Sequence, residues 1–313
     1  MNYKIQSFVS AVAYIHNNEN EIGSFIKTIY EKLSENFEKF EIICVNDSSK
    51  DKSNNTLKEV VNNIKGCKDN CMVSILNMSY YQGLEAAMLA GIDLAIGDFV
   101  FEFDTVTVDY KPDLIMQVYE RSLEGYDIVS CGKGTERLAS KLFYTVYNRF
   151  SGTQNKLRSE TFRIISRRGI NRVDSMNISL PYRKAVYSNC GLKIDYIEYK
   201  PTNSHTAEKR SIINPQDTAL NALILFSNIV YKVTISFTLL MMLTTIAAAV
   251  YVLVAYLMGI PIEGWTTMML FFSGAFFALF AIMTMVVKYL SLILGLVFNK
   301  QKYMIESIEK IAG

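Results

Sequence analysis

Histidine, tryptophan, cysteine and proline are all scarce in this chain of 313 residues. Its two histidines, His16 and His205, are too few for a metal site built from several histidines. Five cysteines in so long a chain do not make the disulfide framework of a small secreted domain. Five prolines and 16 glycines exclude fibrous and linker-rich designs. The net charge of +2 gives no reason to expect a nucleic acid as partner.

The common nucleotide-binding and hydrolase motifs are also missing. No P-loop is present, and the single Gly-x-Gly, at Gly132–Gly134, lacks the next glycine of the dinucleotide fingerprint. No Gly-x-Ser-x-Gly elbow occurs. Cys67 and Cys71 lack a second pair of metal ligands, so we interpret them as reduced thiols.

Long uncharged runs are confined to the C-terminal part of the chain. Val233–Ile262 and Gly264–Val287 carry no charge, and each exceeds the roughly 20 apolar residues of a membrane-spanning helix. Lys232 and Lys288 lie outside the pair, whereas only Glu263 lies between them. The positive-inside rule therefore places the N-terminal domain and the C-terminus in the cytoplasm, at the cytoplasmic membrane. The predicted parts are a cytoplasmic domain (1–210), a juxtamembrane helix (211–232), two transmembrane helices (233–298) and a cytoplasmic tail (299–313).

The N-terminal part alternates between strand and helix patterns. Ser7–Ile15 is predicted as a buried strand rather than an export signal, because charged and Asn-rich residues follow it. An amphipathic helix follows, with apolar residues at helical spacing from Ile22 to Leu33. The later predicted strands are Phe40–Val45, Met72–Leu76, Phe99–Phe103 and Asp127–Ser130, and the later helices are Leu57–Ile64, Leu84–Ile96 and Leu114–Leu123. This alternation predicts a doubly wound α/β domain with a mainly parallel sheet.

Acidic and amide side chains stand where predicted strands end. Asn46 and Asp47 follow one strand, and Asp104 follows another. Glu102 lies two residues before Asp104 and therefore on the same face of the strand. Ligands of such sheets bind beyond the carboxyl ends of the strands, so these residues are candidates for a binding site.

A series of short motifs follows these elements in order. They are His16-Asn17-Asn18-Glu19, Asn46-Asp47-Ser48-Ser49, Gly83/Ala87/Gly91 before Gly97-Asp98, Asp104-Thr105-Val106, Arg137 with Ser140, Phe162-Arg163 and Gly264-Trp265. In this order, and with the two-helix tail, the chain resembles membrane-anchored family-2 glycosyltransferases of the polyprenyl-phosphate type. The resemblance implies a GT-A-like domain that transfers one hexose, with inversion, from a nucleotide sugar to a polyprenyl phosphate for surface glycan modification.

The resemblance also implies a donor site. The nucleotide sugar, expected to be UDP-linked, would contact Asn17, Glu19, Asn46, Asp47 and Asp104. A carboxylate at Asp47 can accept the imide N–H of uracil. The alternative is an Asx-turn residue that caps the next helix. Asn46 stands where the family has an acidic residue, so the choice of base is left open.

A divalent cation, Mg²⁺ or Mn²⁺, is expected at Asp104. Such a cation would offset the charge that grows on the diphosphate leaving group. The family motif is Asp-x-Asp, and Val106 replaces its second acidic residue here. Glu102 or Asp109 would compensate as further ligands. The alternative is that the metal site has been lost and Asp104 only ends a strand.

Arginines are the candidates for binding the acceptor. The guanidinium groups of Arg137 and Arg163 can each donate two hydrogen bonds to the oxygens of a phosphate, and Ser140 is an additional donor. Glu160 is the substitute for the acidic residue that the family has before Phe-Arg, where this chain has Thr161. The alternative for each arginine is a solvated surface charge.

Two further functional hypotheses remain open at this stage. The altered positions Asn46, Val106 and Thr161 also fit a non-catalytic relative that binds lipid phosphate or a partner enzyme. An enzyme with a different donor is the third possibility. Small residues at Ala247–Ala249 and Ser273–Ala275 allow close packing, either between the two helices or between copies in a homo-oligomer.

Overall fold

The computed structural model describes residues 4–64, 70–134, 155–176, 182–202, 264–298 and 303–312, with single helical residues between 141 and 149 and between 236 and 258. Arg137 and Ser140 lie outside these residues, as do the predicted juxtamembrane helix and much of the first predicted membrane span. The predicted domain boundaries at 210 and 232 fall in the same undescribed part and stay predictions.

The described strands form one eight-stranded sheet in the order β7-β5-β6-β4-β1-β2-β3-β8. Among these strands, only β6 and β8 run against the others, since β6 is antiparallel to β4 and β5 and β8 is antiparallel to β3. The prediction of a mainly parallel sheet is confirmed. The strands are β1 Val9–Ile15, β2 Phe40–Asn46, β3 Cys71–Met78, β4 Phe99–Phe103, β5 Ile128–Gly132, β6 Phe162–Ser166, β7 Ile194–Glu198 and β8 Ile305–Ala312.

Helices cover both faces of this sheet. They are α1 Ile22–Asn36, α2 Ser53–Asn63, α3 Leu84–Leu94, α4 Leu114–Leu123, α5 Arg167–Ser175 and α6 Arg183–Asn189. A further helix, α7, spans Trp265–Phe298. Alternate residues of β1 enter different cores: Ala11 and Ala13 pack with α1, α2 and α4, whereas Val12 and Tyr14 pack with α3 and α6. This period of two, with apolar residues on both faces, is what a doubly wound sheet requires.

A glycine allows α3 to lie close to the sheet. A Cβ atom added at Gly91 would come within 2.4 Å of the Val12 side chain and 2.6 Å of the Val45 side chain. No real Cβ contact is that short, so a larger residue would push the helix away from β1 and β2. The close packing fixes α3, whose N-terminus borders the candidate site.

The second predicted membrane span corresponds to α7, which covers Trp265–Phe298. Among the residues that the structure describes, no helix qualifies as membrane-spanning by its length and mean hydropathy. The two predicted transmembrane helices stay a prediction.

Candidate functional site

The candidate site lies where the winding of the sheet changes direction. From the central strand β1 the chain adds β2 and β3 on one side, and then returns to place β4 on the other side of β1. In sheets of this kind, ligands bind in the crevice outside the carboxyl ends of the strands at such a point, here β1 and β4. Asn17 and Asp104, predicted from the sequence as site residues, follow these two strands.

Two hydrogen bonds join the loop after β1 to the loop after β2. Asn17 Oδ1 accepts from the backbone N–H of Lys50 at 2.8 Å, and Glu19 Oε2 accepts from the backbone N–H of Lys52 at 3.0 Å. Asn17 and Ser48 both have left-handed backbone, with φ of 55° and 52°. Non-glycine residues in this region carry strain of the kind that is concentrated at functional sites. The structure thus brings Asn17 and Glu19 beside the loop that contains Asn46 and Asp47.

Asp47 is fully buried and holds the start of α3. Its Oδ1 accepts from the backbone N–H of Gln82, and its Oδ2 accepts from that of Gly83, each at 2.8 Å. Tyr14 donates its hydroxyl to Oδ2 at 3.0 Å. Burial, and then the Asp47 charge, raise the pKa of Tyr14, which keeps this donor protonated. Asp47 therefore holds the distant loop that starts α3 and does not cap the next helix, α2, as its alternative role above would require. A uracil would have to displace one of these partners to reach Asp47.

Asn46, the exposed Tyr81 and the partly buried His16 lie beside the same loops. Asn46 donates from Nδ2 to Asn77 Oδ1 at 2.9 Å and accepts from the backbone N–H of Ser49 at 3.1 Å. The Tyr81 ring, 44% exposed, contacts the His16 ring with centroids 4.6 Å apart. Large exposed aromatic faces are suitable for stacking on a nucleobase. Tyr81 was not among the sequence-predicted residues, because a tyrosine in a polar loop has no distinctive spacing.

Glu102 and Asp104 lie in a buried cluster of ion pairs. Arg163 lies directly opposite Glu102 in the β4–β6 register and donates to Glu102 at 3.1 Å and to Asp104 at 2.8 Å. Arg183, the first residue of α6, donates to Asp104 Oδ1 at 2.7 Å and also to Glu102. Tyr187, one turn later on α6, donates to Glu102 at 2.6 Å. All the carboxylate oxygens of Glu102 and Asp104 are therefore occupied.

The cluster extends to further charged side chains at its edges. Arg183 Nε donates to Glu85 of α3 at 2.9 Å, and Arg163 Nε lies 3.0 Å from Glu160. Lys184 Nζ lies 3.9 Å from Asp104. Arg183, Lys184 and Glu85 were not predicted, since nothing in their local sequence connects them with β4.

Burial and the neighbouring cations shift the pKa values of Glu102 and Asp104 in opposite directions. Burial raises the pKa of Glu102, and Arg183 and Arg163 only partly offset it. Burial would also raise the pKa of Asp104, but Arg163, Arg183 and Lys184 outweigh it and hold that pKa below its ordinary value. Asp104 is thus the firmly ionised member of the pair.

The predicted metal ligands do not fit a divalent cation in this arrangement. Each oxygen of Asp104 already accepts from a guanidinium group. Asp109 is bound instead by Lys133 and, at 2.7 Å, by the Tyr199 hydroxyl. Val106 is buried in the hydrophobic core. Within the described part of the chain, no three acidic, histidine or cysteine side chains are grouped as metal ligands.

Arg163 is buried, not a solvated surface charge. Its three guanidinium nitrogens face Glu102, Asp104 and Glu160. An acceptor phosphate could reach Arg163 only by replacing one of these carboxylates. The roles predicted for Arg137 and Ser140 stay predictions, because both residues lie outside the described part of the chain.

We expect the Asp104→Asn substitution to change how stability depends on pH. A carboxyl group whose pKa is lowered by folding contributes stability above its unfolded pKa of about 3.9, and this contribution is lost as the pH falls through the folded pKa. The stability advantage of the unsubstituted protein over Asp104→Asn should therefore shrink below about pH 4. Urea unfolding of both proteins between pH 6 and pH 3 measures it. A constant difference over this range would contradict the ionised state of Asp104.

Curated relatives and solved structures were compared with this chain. An uncharacterized glycosyltransferase of Synechocystis sp. is 26% identical over 279 residues, which cover 85% of each chain. A prophage bactoprenol glucosyl transferase homolog of Escherichia coli is 27% identical over 198 residues, 61% of this chain and 62% of that protein. A mannosyltransferase of Pyrobaculum calidifontis, solved with GDP-Man and Mn²⁺, is 14% identical with a TM-score of 0.49, covering 95% of this chain and 89% of its own.

A protein-family model matches more than half of the chain. The model of glycosyl transferase family 2 matches residues 10–189. This segment covers β1, apart from its first residue, and continues through β6. It includes the residues described above that follow the carboxyl ends of β1, β2 and β4. Because the match covers more than half of the 313 residues, the chain belongs to glycosyl transferase family 2 and is a glycosyltransferase with a GT-A-like α/β fold.

Proposed function

We propose that this enzyme transfers one hexose from a UDP-linked sugar to a polyprenyl phosphate, with inversion. The observation that carries the proposal is the crevice between the ends of β1 and β4, bordered by the joined loops of Asn17 and Asp47 inside the family segment. The bactoprenol glucosyl transferase name of a relative supports the acceptor, since bactoprenol is a polyprenyl alcohol. That match spans about three fifths of each protein.

The donor would bind with its base over the loop side of the crevice. The exposed face of Tyr81, beside His16, would stack on the base, and Asn17, Glu19 and Asn46 would border it. The diphosphate would then lie toward the end of β4. As the glycosidic bond breaks, negative charge grows on the diphosphate, and a preorganised cation stabilises that charge.

Lys184 is the cation best placed for this purpose. Its side chain is 13% exposed, whereas those of Arg163 and Arg183 are 1% and 4% exposed. Its Nζ lies 3.9 Å from Asp104, too far for a strong hydrogen bond. It could therefore turn toward a diphosphate without leaving a buried carboxylate unpaired. The Mg²⁺ or Mn²⁺ implied by the family resemblance stays a prediction.

The acceptor would need little activation. A phosphate monoester is anionic near neutral pH, so its oxygen can attack the sugar without a general base. Arg137 and Ser140 would position it, and Glu160 would lie near the reacting groups through its contact with Arg163. Attack opposite the leaving diphosphate would invert the configuration of the sugar.

A membrane location would bring the enzyme to its lipid acceptor. We propose that the catalytic domain lies at the cytoplasmic face of the membrane, held by the two apolar segments. Exposed apolar side chains on α7, among them Phe276, Phe277 and Phe280, support this placement. Association into homo-oligomers through the small residues of these segments belongs to the same proposal.

The test is product formation by the full-length, detergent-solubilised chain. Radiolabelled UDP-hexoses are incubated with polyprenyl phosphate, and lipid-extractable label is counted, with free polyprenol as the matched control acceptor. We expect a labelled lipid only with the phosphate, and at least a tenfold loss of rate in Lys184→Ala, as typical when one charge-stabilising donor is removed. Lack of both product and UDP binding would favour the non-catalytic alternative, whose supporting observation is the saturated Asp104 carboxylate.

A further inference from the structure

The C-terminal strand β8 contacts the loop that starts α3. β8 pairs antiparallel with β3, and just before it Met304 meets Gln82. Gln82 Nε2 donates to the Met304 carbonyl at 2.7 Å, and Gln82 Oε1 accepts from the Met304 N–H at 2.8 Å. One amide side chain thus binds both backbone groups of Met304, as a neighbouring strand would. Ser79 N–H adds a bond to the same carbonyl at 3.2 Å.

The same glutamine is bound to Asp47 through its backbone. Its N–H donates to Asp47 Oδ1 at 2.8 Å. Gln82 therefore connects the C-terminal segment with the carboxylate at the end of β2. Tyr80 and Tyr81 lie between the two anchoring points Ser79 and Gln82, and they are 54% and 44% exposed. The backbone that carries these two rings is therefore held at both ends.

A second hydrogen-bond chain runs from β8 into the site. Asn77 of β3 donates from Nδ2 to Ser307 Oγ at 3.0 Å and to Glu309 Oε1 at 2.9 Å. Its Oδ1 accepts from Asn46 at 2.9 Å. With all these positions filled, the amide of Asn77 has a fixed orientation, which in turn orients Asn46.

We propose that Gln82 is a positioning residue of the donor site and that β8 completes this site. The C-terminal segment fixes the loop 79–83, and the loop presents its tyrosines to the base of a nucleoside diphosphate. This inference rests on the proposed function, because it takes the crevice as the place where the nucleotide binds. Covering the edge of a sheet would require only the β3–β8 ladder; the Gln82 side-chain bonds lie beyond the ladder, on the loop itself.

The experiment compares three variants of the full-length protein in detergent. Gln82→Ala removes both side-chain bonds to Met304 and leaves the backbone bond to Asp47. Gln82→Glu keeps the acceptor for Met304 N–H and loses the donor. Lys310→Ala is the matched control, because it shortens an exposed side chain of β8 outside the hydrogen bonds that reach Asn46 and Gln82. The dissociation constant for UDP and for GDP, the thermal unfolding midpoint and hydrogen exchange of residues 79–83 are measured for each.

The inference predicts a change in affinity at nearly constant stability. Gln82→Ala should weaken nucleotide binding about tenfold, because binding must then order a loop that is no longer held in place, and should speed exchange in 79–83. The affinity of Gln82→Glu should lie between those of Gln82→Ala and the unsubstituted protein, and Lys310→Ala should bind normally. In turnover, the KM for the nucleotide sugar should rise in Gln82→Ala while the KM for polyprenyl phosphate stays constant.

The contrary outcomes separate the two proposals. If the unsubstituted protein binds nucleotide and Gln82→Ala binds equally well, the inference is overturned and the proposed function stands. A Gln82→Ala variant that only has a lower unfolding midpoint overturns the inference in the same way. If the unsubstituted protein binds neither UDP nor GDP, both proposals fail together.

Discussion

Replacing Arg183 with alanine is expected to lower the free energy of unfolding by about 3–5 kcal/mol, the usual cost of breaking a buried ion pair from one side. Arg183 donates to Glu85, Glu102 and Asp104. Without it, Glu102 would keep only Arg163 as a cationic partner, and Asp104 would keep Arg163 and the more distant Lys184, in a buried site. Urea unfolding at pH 7 measures the loss.

The matched control is Arg121→Ala. Arg121 also pairs with two carboxylates, Glu124 and Asp195, but its side chain is 37% exposed. Surface ion pairs contribute about 0–1 kcal/mol, since water replaces the lost partner. If Arg183→Ala lowers the free energy of unfolding no more than Arg121→Ala does, the ion-pair cluster around Glu102 and Asp104 is hydrated in solution and its charges do not depend on one another.

Replacing Asp47 with alanine should destabilise the protein by about 3 kcal/mol and weaken nucleotide binding. The substitution leaves three donors without an acceptor: the backbone N–H groups of Gln82 and Gly83 and the hydroxyl of Tyr14. An unsatisfied buried donor costs about 1–3 kcal/mol, and the loop relaxes enough to recover part of the sum. Release of the loop should also move Tyr81 away from the crevice.

The Tyr14→Phe variant separates the loss of stability from the loss of nucleotide affinity. It removes one donor to Asp47 and leaves both backbone bonds to the loop, so stability should fall by only about 1 kcal/mol and UDP affinity should stay unchanged. Unfolding and UDP titration on the same samples provide both values. If Asp47→Ala unfolds normally but loses UDP binding, Asp47 contacts the base directly and its hold on the loop at Gln82 and Gly83 is secondary.

Much of the N-terminal fold could be predicted because each element has its own local pattern. The strands from β1 to β5 and the helices α1, α3 and α4 lie within a few residues of their predicted bounds. Helix α2 begins at Ser53, four residues before the predicted Leu57. Its first turn is polar and shows no apolar period, and it is held instead by hydrogen bonds from Ser53 to Asp51.

Strand β8 could not be predicted from its local sequence pattern. Ile305, Ile308 and Ile311 recur every three residues, which does not alternate as a half-buried strand should. The segment was predicted only as a tail. It forms a strand because the edge of β3 offers unpaired backbone groups, and the pairing includes two register shifts that absorb the irregular spacing.

The sequence by itself determined the fold class, the family and the edge of the sheet that carries the candidate site, since strand and helix periods and polar residues at strand ends are local features. The tertiary structure alone decided what those residues do. Arg183 lies 81 positions from Glu102, yet it binds that carboxylate and Asp104. Asp47 binds a loop 35 positions away. Burial makes each such contact strong, and burial depends on how distant segments pack, which no spacing along the chain records.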